Sequence, residues 1–145
     1  MPVFYGEFEH ALDVKGRLIL PVKLRDHFAA GGFLTKVLDG CLALYTDEEF
    51  TKVLNTMQER ARRGQMERNV VRSFAAGSTD VSPDRQGRIA IPANLRAFAG
   101  LEREVTVTGQ INRVEIWDAA RWAEVNRRGE EMLAGAQPGL DDLGI

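Results

Sequence analysis

Phe4, Phe8 and Leu12, with Gly6 and His10 between them, alternate with polar or mixed positions, the period of a half-buried strand. Gly16 breaks the pattern. Residues 17–20 read as a second strand, and Pro21 suits the first turn of a short helix running to about Phe28. Gly31-Gly32 ends that helix. Residues 33–38 and 41–45 predict a hairpin across Asp39-Gly40, a pair that tolerates the positive φ of a two-residue turn. Thr46-Asp47-Glu48-Glu49 has the form of a capping box, and Phe50, Val53, Leu54 and Met57 follow at helical spacing.

After a predicted connecting helix over 66–74, the order repeats. Residues 77–81 and 88–91 read as strands, and 92–99 as a short helix closed by Gly100. Residues 105–108 and 113–117 predict a second hairpin, and Asp118 a cap for a last helix carrying Trp122 and Val125. The wording repeats too. Asp13-Val14-Lys15-Gly16-Arg17-Leu18-Ile19-Leu20-Pro21-Val22-Lys23-Leu24-Arg25 recurs 71 positions later from Asp84 to Arg96, identical at six of 13 positions. Average residue usage gives about one by chance. Gly6 matches Gly77 at the same offset. With one extra residue, Tyr45 aligns with Trp117 and Phe50 with Trp122. A duplication of this kind predicts a pseudo-symmetric pair of halves.

At 145 residues, each half alone has a marginal core, so a core shared between repeats or buried between subunits is expected. The composition, 44% hydrophobic and 28% charged, suits a soluble globular protein. A formal net charge of −2 does not advertise a nucleic-acid binder. Local charge differs: Arg60, Arg62, Arg63, Arg68 and Arg72 face only Glu59 and Glu67, whereas residues 129–145 carry four carboxylates and no Lys or Arg. Cys41 is the only cysteine, which excludes an intrachain disulfide and a cysteine-based zinc site; a buried core position is expected. No apolar run is long enough to span a bilayer, and Glu7, Glu9, Asp13 and Lys15 stand where a signal peptide needs an apolar stretch. A cytoplasmic protein without cofactor, metal or small-molecule ligand is expected.

The repeated Asp-x-x-Gly-Arg lies between two predicted strands. Gly16 and Gly87 can take a backbone conformation closed to residues with a Cβ. Asp13 and Asp84 are expected to cap turn amides or pair with an arginine, a structural role. Arg17 and Arg88, beside Lys15 and Arg85, admit two readings. They are solvated or salt-bridged charges, or cationic fingers for phosphates or for guanine O6 and N7 in a major groove. Arg25 and Arg96 are expected to brace the repeat through helix carbonyls or the motif aspartate. His10 and His27 lack partners for catalysis.

With these motifs in place, the chain resembles the MraZ family of bacterial transcriptional regulators. The resemblance rests on residues 6–10, 12–18, 38–42, 88–92 and 115–117, which follow the family's order over roughly residues 1–125. One motif copy alone resembles only the broader AbrB-like superfamily. The resemblance implies an α+β fold of two AbrB-like, swapped-hairpin, β-barrel-like repeats packed as an internal pseudo-dimer with flanking helices. The expected divisions are 1–57, a connecting helical segment 58–73, a second repeat 74–128, and an acidic flexible tail 129–145. It further implies ring-shaped homo-oligomers, nucleoid-associated, binding direct repeats of double-stranded promoter DNA upstream of their own division and cell-wall gene cluster. Carried over by position, Arg17 is the DNA contact, Lys15 its neighbour on the same loop, and Arg88 its counterpart in the second repeat, beside Arg85. Pro83 stands where the family has an aliphatic residue. It removes an amide donor, so a shortened strand or altered second loop is expected, with the first repeat as the DNA-reading copy.

Two other classes compete. Duplicated aspartates resemble the paired carboxylates of aspartic proteases. However, Val-Lys-Gly and Arg-Gln-Gly follow them rather than Asp-Thr/Ser-Gly, and adjacent arginines keep both ionised, so an enzyme is not expected. A protein-interaction scaffold, with the Asp/Arg turns locking subunits together, is the remaining alternative.

Overall fold

The computed structural model describes residues 2–135 and 138–145. In chain order it contains β1 (Glu7–Ala11), β2 (Arg17–Ile19), α1 (Val22–Arg25), β3 (Gly32–Lys36), β4 (Leu42–Tyr45), α2 (Asp47–Arg62) and α3 (Arg68–Gly77). The second half follows as β5 (Thr79–Val81), β6 (Arg88–Ala90), α4 (Ala93–Ala99), β7 (Glu104–Gly109), β8 (Val114–Asp118) and α5 (Ala119–Ala134).

The two repeats exchange strands. Six strands form one antiparallel sheet in the order β1-β7-β8-β4-β3-β5. At one edge β1 of the first repeat pairs with β7 of the second, Phe8 opposite Val107; at the other, β5 pairs with β3, Asp80 opposite Phe33. Strands β4 and β8 meet in the middle, Ala43 opposite Glu115. The remaining two strands, β2 and β6, pair with each other as a separate ribbon in which Leu18 faces Ile89. Residues equivalent in the sequence repeat therefore meet across an approximate two-fold axis. The architecture is α+β, two swapped-hairpin repeats packed as an internal pseudo-dimer.

Matched residues from both repeats build one core. Leu18 and Ile89, Leu20 and Ile91, and Leu24 and Leu95 are all buried, packed against Leu34, Leu44, Val107 and Ile116 of the sheet. Each such aliphatic side chain contributes roughly 1.5–3 kcal/mol by leaving water. On the other face of the sheet Phe33 and Phe50 stack with centroids 4.5 Å apart, and Phe74 of α3 lies 6.1 Å from Phe50. Phe50 sits 6.0 Å from Tyr45 as Trp122 sits 5.7 Å from Trp117, so the sequence alignment of these aromatics corresponds to equivalent places.

Several elements depart from their sequence expectation. The first strand begins at Glu7, because Gly6 takes φ +102° and Phe4 bridges separately to Ile111. The helix after Pro21 is α-helical for only four residues, then tightens into a 3-10 turn over Asp26–Phe28. The first hairpin closes around three residues rather than two: the Val37 amide donates to the Cys41 carbonyl at 3.1 Å, with Asp39 and Gly40 both at positive φ. Arg121 fastens this turn by donating to the Gly40 carbonyl at 2.9 Å and to that of Asp39. Gly77 ends α3 instead of starting a strand. Residues 129–134, expected in a flexible tail, are the last turns of α5, where Arg127 pairs with Glu131 at helical spacing. The loosening expected at Ala136 and Gln137 lies outside the described residues.

Candidate nucleic-acid interface

The two motif turns are built alike, atom for atom. Asp13 Oδ1 accepts from the amides of Lys15 and Arg17, both at 2.9 Å, and Oδ2 accepts from Arg17 Nε at 2.6 Å. In the second turn Asp84 Oδ1 accepts from the amides of Gln86 and Arg88, both at 2.9 Å, and Oδ2 from Arg88 Nε at 2.7 Å. The Arg17 amide, its guanidinium and the Lys15 amide hold the Asp13 carboxyl below the ordinary aspartate range, against a smaller opposing effect of desolvation. Asp84 is lowered in the same way, the Arg88 amide first. Each aspartate thus forms a clamp that bonds backbone amides and an arginine together.

Gly16 and Gly87 occupy φ +75° and +78°, where a Cβ is strained. Each is also covered from the opposite repeat. A Cβ on Gly16 collides with the Arg96 guanidinium, and one on Gly87 with that of Arg25. Arg25 donates through Nη2 to the Leu20 carbonyl at 2.9 Å, and Arg96 donates to the Ile91 carbonyl. The backbone crosses too: the Ile91 amide donates to the Gly16 carbonyl at 3.0 Å, and Leu20 to Gly87 at 2.9 Å. These helix arginines bond to carbonyls preceding their helices, not to the motif aspartates. That they span the two repeats was not visible in the sequence, where only their matched positions gave a signal.

In the β2–β6 ribbon, Leu18 and Ile89 point into the core, so alternation turns Arg17, Ile19, Arg88 and Ala90 outward. Ile19 is 45% exposed. Each arginine is fixed at Nε by its aspartate, and neither pair of terminal nitrogens makes a hydrogen bond among the described residues. The result is two guanidinium forks held at a set orientation on one ribbon. Lys15 and Arg85 are exposed on the turns, with no carboxylate in ion-pair range among the described residues. They are not equivalent positions: Arg85 corresponds to Val14, which is fully exposed, and Lys15 to Gln86.

Of the two alternatives expected at Pro83, the structure has the shorter strand. Its counterpart Leu12 donates an amide to the Arg103 carbonyl at 2.7 Å, a bond proline cannot make, and β5 has three residues where β1 has five. The second turn is nevertheless unaltered, since its hydrogen bonds match the first. Of the central arginines, Arg62 and Arg63 pair with Glu59 and Arg72 bonds Asn69, an ordinary solvated helix surface. No helix among the described residues is long and apolar enough to cross a membrane.

An aspartate-clamped arginine on each of two exchanged hairpins, joined in one ribbon across a pseudo-two-fold axis, defines a tandem AbrB-like protein. A family model described as "MraZ protein, putative antitoxin-like" matches residues 3–73 and again 74–138. The chain is 42% identical over 142 residues to a protein of Kocuria rhizophila named transcriptional regulator MraZ, covering 95% of this chain and 99% of that one. Relatives of the same name in Acetivibrio thermocellus (43% identity, 91% of each chain) and Desulfitobacterium hafniense (42%, 99% and 100%) are similar over nearly their whole length. The chain belongs to the MraZ family.

Proposed function

We propose that this chain is a sequence-specific, DNA-binding transcriptional regulator that reads promoter DNA with the β2–β6 ribbon. The observation that carries the reading is the pair of outward guanidinium forks at Arg17 and Arg88, each oriented by its aspartate. A two-stranded ribbon fits a major groove, and a fixed fork matches guanine O6 and N7. Lys15 and Arg85 flank the ribbon as phosphate contacts that position it without reading sequence. An acidic chain can bind DNA in this way because Lys15, Arg17, Arg85 and Arg88 concentrate positive charge on the ribbon and its turns.

The remaining features are proposed by analogy with the family. The relatives are named as transcriptional regulators, and the same role is proposed here at direct repeats in the promoter of the chain's own division and cell-wall gene cluster. A ring-shaped homo-oligomer multiplies weak ribbon contacts along repeated sites. The protein is then cytoplasmic and nucleoid-associated, and non-enzymatic.

Fluorescence anisotropy over a salt series, on the chain's own upstream DNA and on a scrambled sequence, tests the reading. Arg17→Ala is expected to cost roughly 1–3 kcal/mol per site on the specific DNA and to leave assembly intact. Lys15→Ala is expected to weaken both DNAs alike and lower the salt slope by about one per site. Equal affinity for specific and scrambled DNA at low salt sinks the proposal. Loss of assembly in Arg17→Ala favours the interaction-scaffold alternative.

A further inference from the structure

Away from the ribbon, a cleft of about 470 Å³ opens between α2, α3 and the first hairpin. Tyr45, Met57, Met66, Val70, Phe74 and Phe98 wall it. The walls are thinly covered. Val70 is 54% exposed, Phe98 45%, and α3 buries only its last residue, Gly77. Methionines at two corners give the cleft an adaptable shape.

Its charged lining is one-sided. Arg113 is neutralised by Glu115 at 2.7 Å. Lys36 is not: its Nζ donates to the Ser73 hydroxyl at 2.8 Å and lies 5.7 Å from the Phe98 ring centre, with no carboxylate in ion-pair range among the described residues. The cleft therefore suits aliphatic side chains with a carboxylate beside them.

The same chain carries such a segment. Leu140-Asp141-Asp142-Leu143-Gly144-Ile145 places two aspartates among three aliphatic residues, with Asp141–Leu143 in a 3-10 turn. Leu143 is 63% exposed and Ile145 79%, and neither aspartate has an ion-pair partner among the described residues. Acceptor and donor are complementary in both apolarity and charge.

We infer that the cleft of one copy receives residues 140–145 of a second copy. Leu143 and Ile145 pack against Met57, Val70 and Phe74, and the aspartates face Lys36. The two surfaces differ and every copy has one of each, so the contact used head-to-tail joins copies in series. Repetition of such a contact closes a ring when the rotation per copy allows. The inference rests on the proposed homo-oligomer and supplies the contact that holds it.

Sedimentation velocity on the full chain tests this, with DNA affinity measured separately. Leu143→Asp, on an exposed segment where folding is not at stake, is expected to lower the assembled mass, as is Val70→Asp in the cleft. Lys36→Glu is expected to weaken association roughly two- to fivefold, and Asp141→Lys with Asp142→Lys likewise. Combining both charge reversals restores it. A Val70→Cys/Leu143→Cys chain, mixed from two differently tagged populations, is expected to cross-link between tags. Unchanged mass in Leu143→Asp, or cross-links confined within single chains, overturns the inference. Failure of the DNA reading is distinct: Arg17→Ala loses specific binding at full mass, whereas Leu143→Asp loses mass while its ribbon still binds a single-site fragment weakly.

Discussion

Arg96 reaches across the pseudo-two-fold axis and lies over Gly16, the glycine of the other repeat's turn. The reciprocal pair, Arg25 over Gly87, completes a cross-brace in which each repeat closes the turn of its twin. The glycines are thus constrained twice, by a positive φ and by a guanidinium that leaves no room for a methyl group.

Gly16→Ala is therefore expected to destabilise the protein by about 1–3 kcal/mol, through backbone strain plus displacement of Arg96. Urea unfolding checks this. Adding Arg96→Ala removes the collision but not the strain, so the double variant is expected to lose less than the two single changes together. Strict additivity contradicts the close approach.

Asp13→Asn separates the two tasks of the clamp. The amide oxygen still accepts from the Lys15 and Arg17 amides, but the charge-assisted bond to Arg17 Nε is lost. A fold with a modestly lowered melting temperature and DNA affinity lowered toward that of Arg17→Ala is expected. If affinity stays at the wild-type level, orientation of the arginine by Asp13 is irrelevant to binding.

The lowered pKa values of Asp13 and Asp84 set a pH dependence. Their carboxylates favour the folded state while ionised, so this contribution is complete above their unfolded value of 3.8 and is lost as pH falls through the lower folded value. Unfolding free energy is expected to fall with acid in that window, and less so in the Asp13→Asn/Asp84→Asn variant. Carboxyl chemical shifts recorded down to strong acid report the titrations directly; normal aspartate midpoints refute the clamp.

Cys41 is 1% exposed, and burial pushes its thiol up to about 12. It is expected to resist alkylating reagents near neutral pH in the native protein and to react at once in denaturant. Rapid native labelling points to an opening of the Cys41-to-Tyr45 strand region.

The order of elements was legible because each depends on local chemistry. Alternation marked the strands, Thr46 and Asp118 marked helix starts by side-chain capping, and Gly100 in the left-handed conformation marked a helix end. The motif's aspartate and glycine roles followed from turn chemistry. What was hidden is everything that crosses the repeats. No periodicity tells that Phe8 faces Val107 rather than a strand of its own repeat, or that Arg25 serves Gly87. Nor could the sequence say whether Pro83 disturbs the second turn, since that depends on the partner of the equivalent amide, which at Leu12 is the Arg103 carbonyl outside the turn. The Lys36 cleft also escaped, because its walls come from α2, α3, α4 and a hairpin that meet only in space.

The exchange of edge strands also has a consequence for synthesis. Strand β1 emerges early from the ribosome, but its partner β7 is completed only at Gly109. Until then the first half of the chain holds an open edge of hydrogen-bonding groups, a template for wrong pairing with a neighbouring nascent chain. Glu7 and Glu9 on that strand put charge on the waiting edge. The duplication thus places both partners of the exchange in one polypeptide, so closure depends on chain length and not on the concentration of a second subunit.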